Sequence, residues 1–204
     1  MLAKLLHHRL FWPILLLILI IPTFSFLIKP NLYWNMHDDM QMIRQLEMEK
    51  CFKDGQIPCR WTPDLGFAYG YPLFNFYPPL PYLVGQIFRT FALSFVNTVK
   101  LSALLLIILS ALAMYLLASD LTGPIGAFLA GLFYTYAPYH AVNILIRGAF
   151  NEAWATVFFP LIFYFSKNSL FGSFCLCQPP PQSRVFRPQK FDNLCLVFDD
   201  SIAG

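Results

Sequence analysis

Residues 101–139 read LSALLLIILSALAMYLLASDLTGPIGAFLAGLFYTYAPY. Two charge-free halves, Leu101–Ser119 and Leu121–Tyr139, flank a single acid, Asp120. Each is 19 residues long, close to the roughly 20 that carry a helix across about 30 Å of hydrocarbon. Gly123-Pro124 opens the second half, and proline suits the first turn of a helix. The link from Ser119 to Gly123 is so short that the two helices must form an antiparallel hairpin.

Two further runs flank this hairpin. Leu10–Ile28 is free of charge and follows Lys4 and Arg9. It is longer than the apolar core of a secretory signal, and no small-x-small cleavage site follows it. It therefore reads as a retained anchor with a cytoplasmic N-terminus. The second run covers residues 148–166, carries Glu152 near its start and closes at Lys167. Residues 80–95 are helical in character, but Gln86 and Arg89 interrupt them and Pro78, Pro79 and Pro81 stand at the entrance. Burying Arg89 in a span would cost at least about 2.5 kcal/mol, so this segment is expected to lie at the interface or re-enter. The expected fold is all-α: a polytopic membrane bundle with four spans, at about 10–28, 101–119, 121–139 and 148–166. Residues 29–100 and 140–147 then face outside a plasma membrane, where long loops translocate largely regardless of charge.

Composition agrees with this reading. The chain is 57% hydrophobic and 12% charged, against about 25% charged in an average soluble domain. A net charge of +3 is too small for a phosphate-binding surface, so nucleic acid is excluded as a partner and membrane lipids are implied. Five cysteines do not make a disulfide scaffold in a chain of this length. Cys51 and Cys59 share the outer loop, where a bridge and two thiols are both open readings. His37 and His140 belong to different outer loops, and the bland reading outweighs a metal role for them. Neither a nucleotide-binding glycine loop nor a nucleophile elbow is present.

The outer loop holds the candidate chemistry. In residues 36–46, Met36, Met40, Ile43 and Leu46 recur at helical spacing, with Arg44, Glu47, Glu49 and Lys50 between or beyond them. The pattern predicts an amphipathic helix lying on the membrane surface, N-capped by Asp38 with Gln41 three residues on and stopped at Gly55. Tyr69-Gly70-Tyr71-Pro72-Leu73-Phe74-Asn75-Phe76-Tyr77-Pro78-Pro79 is too dense in breakers for a regular helix. It reads either as an aromatic belt at headgroup level or as a shaped loop contacting a lipid-linked or sugar substrate.

The order of these features carries a resemblance. An acidic pair, Asp38-Asp39, follows the first span. The Tyr69-Gly70-Tyr71-Pro72 stretch, the hairpin, Ala137-Pro138-Tyr139-His140 and Arg147-Gly148-Ala149-Phe150-Asn151-Glu152 come after it. Over about residues 1–166 the chain resembles the bacterial integral membrane family described as 6-pyruvoyl-tetrahydropterin synthase-related. That family in turn looks like the GT-C polyprenyl-phosphate-sugar glycosyltransferases. The resemblance implies an outer-loop acid acting as base or metal ligand, here Asp38 or Asp39. It implies Arg147 and Glu152 in the second-loop role, with Glu152 grouped with the catalytic acids and Arg147 binding substrate. Tyr69, Tyr71, Asn75 and Tyr77 would contact the substrate, a polyprenyl-phosphate-linked sugar, and a divalent metal ion would be a possible cofactor. The acids are expected within about 10 Å of Arg147 or Glu152, one pocket width. Residue by residue, ordinary roles compete: a cap for Asp38, solvation for Asp39, snorkelling for Arg147 and simple pairing for Glu152. A polytopic membrane protein of structural or transport role is the alternative. Residues 167–204, with Pro179-Pro180-Pro181 and no run long enough to span, read as an atypical, disordered or frameshifted tail of a truncated product.

Overall fold

The computed structural model describes residues 10–29 and 33–175, with side chains through residue 169. The chain divides into a first unit that ends at Ser169 and a second, Leu170–Gly204. Of the second unit only the end of one helix is described. The expected disorder of the tail therefore falls almost wholly outside the described residues.

The fold is all-α, and its only β pairing among the described residues is an isolated bridge between Thr62 and Tyr71. In chain order the helices are α1 (Phe11–Leu19), α2 (Ile21–Phe24) with a 3-10 turn Ser25–Ile28, α3 (Gln41–Lys53), α4 (Leu73–Phe76) and α5 (Leu80–Thr90). Then come α6 (Phe95–Tyr136), α7 (Pro138–Ala141), a π-helical segment Val142–Arg147 and α8 (Phe150–Cys175). The first apolar run is broken rather than straight, with a 42° bend between Phe11–Leu19 and Ile21–Ile28. Pro22 is the cause, since it has no N–H for the carbonyl of Ile18 and its ring crowds that carbonyl.

The hairpin forms with a tighter turn than five residues. Helical geometry persists through Thr122 and breaks only at Gly123, with φ 76° and ψ −176°, a region open essentially to glycine alone. Pro124 then starts the second arm. Farther along the arms, the carbonyl oxygen of Ala111 lies 3.1 Å, and Leu16 Cδ2 2.8 Å, from where a Cβ on Gly131 would stand. α1 thus packs into the cleft between the arms, with Leu16, Ile20, Ala103, Leu106, Ala111 and Ala127 buried along it. The first arm begins at Phe95, six residues earlier than the apolar run, because Ser94 Oγ accepts the Asn97 backbone N–H and caps the helix. α8 returns alongside: the Tyr134 hydroxyl donates to the Thr156 carbonyl, and Lys167 stands 3.8 Å from Asp120 at the hairpin turn. α8 continues to Cys175, past the Lys167 that closes its apolar run.

Among the described residues one helix, α6, is long and apolar enough to cross a membrane, and the bent pair at residues 11–28 passes the same test jointly. α5 has 11 residues and so rises about 16 Å, half the hydrocarbon thickness. Its Arg89 pairs with Glu49 of α3 at 2.7 Å, stacks over Phe95 and donates to the Leu93 carbonyl. The Arg89 hydrogen bond first, then the Lys53 one, holds the Glu49 carboxyl below its ordinary pKa.

α3 corrects the sequence reading most sharply. Gln41, Gln45, Glu47, Met48 and Cys51 are the buried face, while Met40 and Ile43 are exposed. Only Met40 and Ile43 of the expected stripe face outward, for Leu46 is half-buried and Met36, ahead of the helix, is buried, while a largely polar face packs inward against α5 and the start of α6. The expected Asp38 cap is also absent: the helix starts after Met40 with no side-chain cap. Gly55, at φ 75° just beyond the last turn, is the stop the sequence suggests.

Cys51 and Cys59 form a disulfide across 8 residues of sequence. It joins the end of α3 to the loop carrying Trp61 and closes a small core with Met48, Leu73, Phe74 and Tyr82. A loop this short gives about 2.5 kcal/mol on the chain-entropy account. The Cys51→Ser variant is expected to lose roughly that much in a denaturant titration. An unchanged midpoint would mean the bridge does not restrain the loop.

Candidate functional site

The site is assembled by a backbone junction. The His37 N–H donates to the Ile146 carbonyl at 2.8 Å, and the Asp38 N–H to the Arg147 carbonyl at 3.0 Å. The chain segment after the first helices is thereby laid against the end of the π-helical turn. Gly148 follows in the left-handed region, φ 68°, and a Cβ there would stand 2.8 Å from the Asp38 carbonyl oxygen and 2.6 Å from Met36 Sδ. Gln41 locks the junction: its Nε2 donates to the Gly148 carbonyl at 2.7 Å and to that of Asp38 at 3.1 Å. Its Oε1 accepts from the buried Tyr82 hydroxyl at 2.7 Å. Trp34 adds a bond from Nε1 to the Ile144 carbonyl at 3.2 Å.

Two guanidinium–carboxylate pairs flank the junction. On one side Arg44 grips Asp38 in a two-pronged pair, 2.7 and 3.0 Å, and donates to the Tyr77 hydroxyl at 2.9 Å. The Tyr77 hydroxyl donates to Asp38 Oδ2 at 3.1 Å, and the guanidinium lies 4.2 Å from the centre of the Tyr77 ring. Burial works against the Arg44 charge, but the hydrogen bond to Asp38 leads the contributions that outweigh it and hold its pKa above the ordinary value. Burial pushes the Tyr77 and Tyr82 phenols up. On the other side Arg147 grips Glu152 at 2.7 and 3.0 Å and donates to Asn143 Oδ1 at 2.7 Å. The Tyr139 hydroxyl stands 3.2 Å from Glu152 Oε2. The second pair is about half exposed and the first mostly covered, so the first is the stiffer.

The two expected halves of the site are therefore neighbours through their backbones, and each acid is bonded to its own arginine rather than to the other's. Asp39 is exposed and stands near Tyr33, whose phenol is pushed up first by burial and then by that carboxylate. The aromatic stretch divides. Tyr77 enters the site, whereas Tyr69, 88% exposed, and Tyr71 sit in a loop closed by the Thr62 bridge, and Asn75 points to the surface. The Asp38 carboxylate takes its hydrogen bonds from Arg44 and Tyr77, not from Tyr69, Tyr71 or Asn75. Of this stretch Tyr77 stands beside Asp38, and its ring centre is 6.3 Å from that of Tyr82.

Arg44, Gln41 and Tyr82 were not among the expected site residues. The sequence carries no signal for the first two, because Gln41, Arg44 and Gln45 share the polar side of the helix, which periodicity assigns to water. The π-helical turn, a feature common at functional sites, leaves no sequence signal. Among the described residues, no group of three or more His, Cys, Asp or Glu is gathered to hold a metal ion. Both oxygens of Asp38 and of Glu152 are taken by guanidinium groups, so this donor set does not fit a divalent metal. No family model matches the chain, and no curated protein or solved structure matches it either.

Proposed function

We propose that the chain is a membrane-embedded, GT-C-like glycosyltransferase, or the N-terminal part of one, using a polyprenyl-phosphate-linked sugar at the outer face of the plasma membrane. The observation that carries this reading is the junction of residues 37–38 with 146–147, which sets two arginines and two carboxylates around one backbone crossing. A phosphate entering there offers each guanidinium a bidentate partner. Arginine taken up by the phosphate neutralises the leaving group, and the released Asp38 carboxylate is free to accept a proton from an acceptor hydroxyl. Tyr77, bonded to both Asp38 and Arg44, positions the pair during the exchange.

Four spans, two in the hairpin and one each at residues 10–28 and 148–166, fit this role with the N-terminus in the cytoplasm. Supporting this is the outward face of α1, α6 and α8, where Ile14, Ile18, Leu129, Phe133, Phe159 and Phe163 are all exposed, a surface suited to lipid rather than water. The small pair Ala111 and Gly131, where the two arms of the hairpin meet, fits packing within a bilayer. The disulfide fits an oxidising outer compartment.

Two measurements test the proposal. A cysteine at the exposed Asn97 is expected to react with an impermeant maleimide from outside the cell, and reaction only from the cytoplasm would reject the topology. Vesicles holding the chain are expected to move sugar from a polyprenyl-phosphate donor to a hydroxylated acceptor. The competing reading, a non-catalytic scaffold, draws on one observation: both carboxylates are already neutralised by arginine. Absence of transfer, with the topology intact, would favour it.

A further inference from the structure

Lys100 is a buried cation without a counter-charge. It stands on α6, just before the charge-free run that starts at Leu101, and is 5% exposed. Its Nζ donates to the Lys29 carbonyl at 2.5 Å, which occupies one of the three donors of an ammonium. Lys50, Lys53 and Lys167 each stand near a carboxylate. Neither Lys29 nor Lys100 does so among the described residues. One neutral carbonyl does not offset the loss of water around a buried charge, so the remaining donors of Lys100 call for an acceptor.

The place of this pair in the fold identifies the acceptor. The first charge-free run ends at Ile28 and the second begins at Leu101. The bond from Lys100 to Lys29 holds these two ends side by side, where α6 packs against the 3-10 turn Ser25–Ile28. Lys29 is exposed, so the buried stem of Lys100 leads its ammonium to the rim of the unit rather than to the core. Both cations therefore stand at one polar–apolar boundary. On the apolar side of it Ile21 and Ile28 are exposed. A ligand that suits both sides carries a negative head on an apolar body, and lysine meets phosphate oxygens as a point charge.

We propose that Lys29 and Lys100 bind the phosphate of an anionic membrane lipid, with its acyl chains on the side of Ile21 and Ile28. The phosphodiester oxygens accept from the remaining donors of Lys100 and from the Lys29 ammonium. The bound lipid then holds the end of the first helical pair against the start of α6. A zwitterionic lipid suits the site less, because its own cation offsets the phosphate charge. The proposal rests on the membrane topology given above but not on sugar transfer, and neither lysine belongs to the Asp38 or Glu152 pair.

The test titrates the full chain, in a nonionic detergent, with a fluorescent phosphatidylglycerol. Binding is expected to saturate and to be competed poorly by phosphatidylcholine and by inorganic phosphate, which lacks the apolar body. Lys100→Met, close in length and uncharged, is expected to weaken binding about tenfold, the scale of one charge-assisted hydrogen bond. Lys100→Arg keeps the charge and retains most of it. Lys29→Gln alters an exposed side chain and is expected to weaken binding about fivefold, the scale of one basic residue beside an anionic lipid layer. It carries the test should Lys100→Met fail to fold. Lys53→Gln, at an exposed lysine elsewhere in the unit, is expected to change nothing. Binding that never saturates, that phosphatidylcholine or inorganic phosphate competes as well as phosphatidylglycerol does, or that falls equally in Lys29→Gln and Lys53→Gln would overturn the proposal. Labelling at Asn97 reports the topology separately, so absent lipid binding in a chain labelled there from outside strikes this proposal alone.

Discussion

Replacing Asp38 by Asn is expected to lower sugar transfer by about two orders of magnitude or more, the range for loss of a general base. The substitution keeps an oxygen that can accept from Arg44 and Tyr77, at 2.7 and 3.1 Å in the parent, so the local fold has what it needs to persist. It removes the negative charge and with it the proton acceptor. Arg44→Lys is the companion variant: it keeps the charge but loses the two-pronged grip, so phosphate binding weakens more than the chemical step. The readout is turnover at saturating donor, with denaturant midpoints measured alongside. Turnover equal to the parent's in Asp38→Asn would leave only the scaffold reading.

The largest effect on stability is expected at Gly148. A β-branched residue there must adopt φ near 68°, which costs about 1–2 kcal/mol by itself. Its Cβ must also find room 2.8 Å from the Asp38 carbonyl oxygen and 2.6 Å from Met36 Sδ. The methionine end can swing aside; the carbonyl is backbone and belongs to the junction. Gly148→Val should therefore cost about 3 kcal/mol or more, adding overpacking to strain, and should release the bonds between residues 37–38 and 146–147. Gly55→Ala is the control, because Gly55 has a similar φ of 75° and open space around it. It should cost about 1 kcal/mol, the conformational part alone. Equal losses in the two variants would show that the junction is not tightly held. Faster hydrogen exchange at His37 and Asp38 in Gly148→Val alone would locate the damage.

Part of this was legible in the chain itself. The hairpin followed from two charge-free runs around Asp120 and a Gly-Pro pair, since backbone groups in apolar surroundings must satisfy themselves within a helix. The short α5 followed from prolines at its entrance and Arg89 within it. Asp38, Arg147, Glu152 and Tyr77 were implied by the resemblance; Asp38 and Arg147 meet through their backbones, with Tyr77 bonded to Asp38 and Glu152 to Arg147. Tyr69, Tyr71 and Asn75 were implied in the same way and lie apart from these residues, because an aromatic stretch does not state which of its rings turn inward.

What the sequence by itself determined is the helical class, the hairpin and the identity of the ionisable groups available for a site, all consequences of local hydropathy and backbone chemistry. Only the tertiary structure decided the orientation of α3, the pairing of each acid with its own arginine, and the junction at Gly148. The reason is physical. A helix with apolar residues on one side and Gln41, Arg44 and Gln45 on the other has two self-consistent burials, and hydrophobic periodicity prefers the first. The polar face went inward because Tyr77, Tyr82, Gly148 and Asp38, distant in sequence, supply hydrogen bonds that make burying it worthwhile, and such partners exist only once the chain has folded.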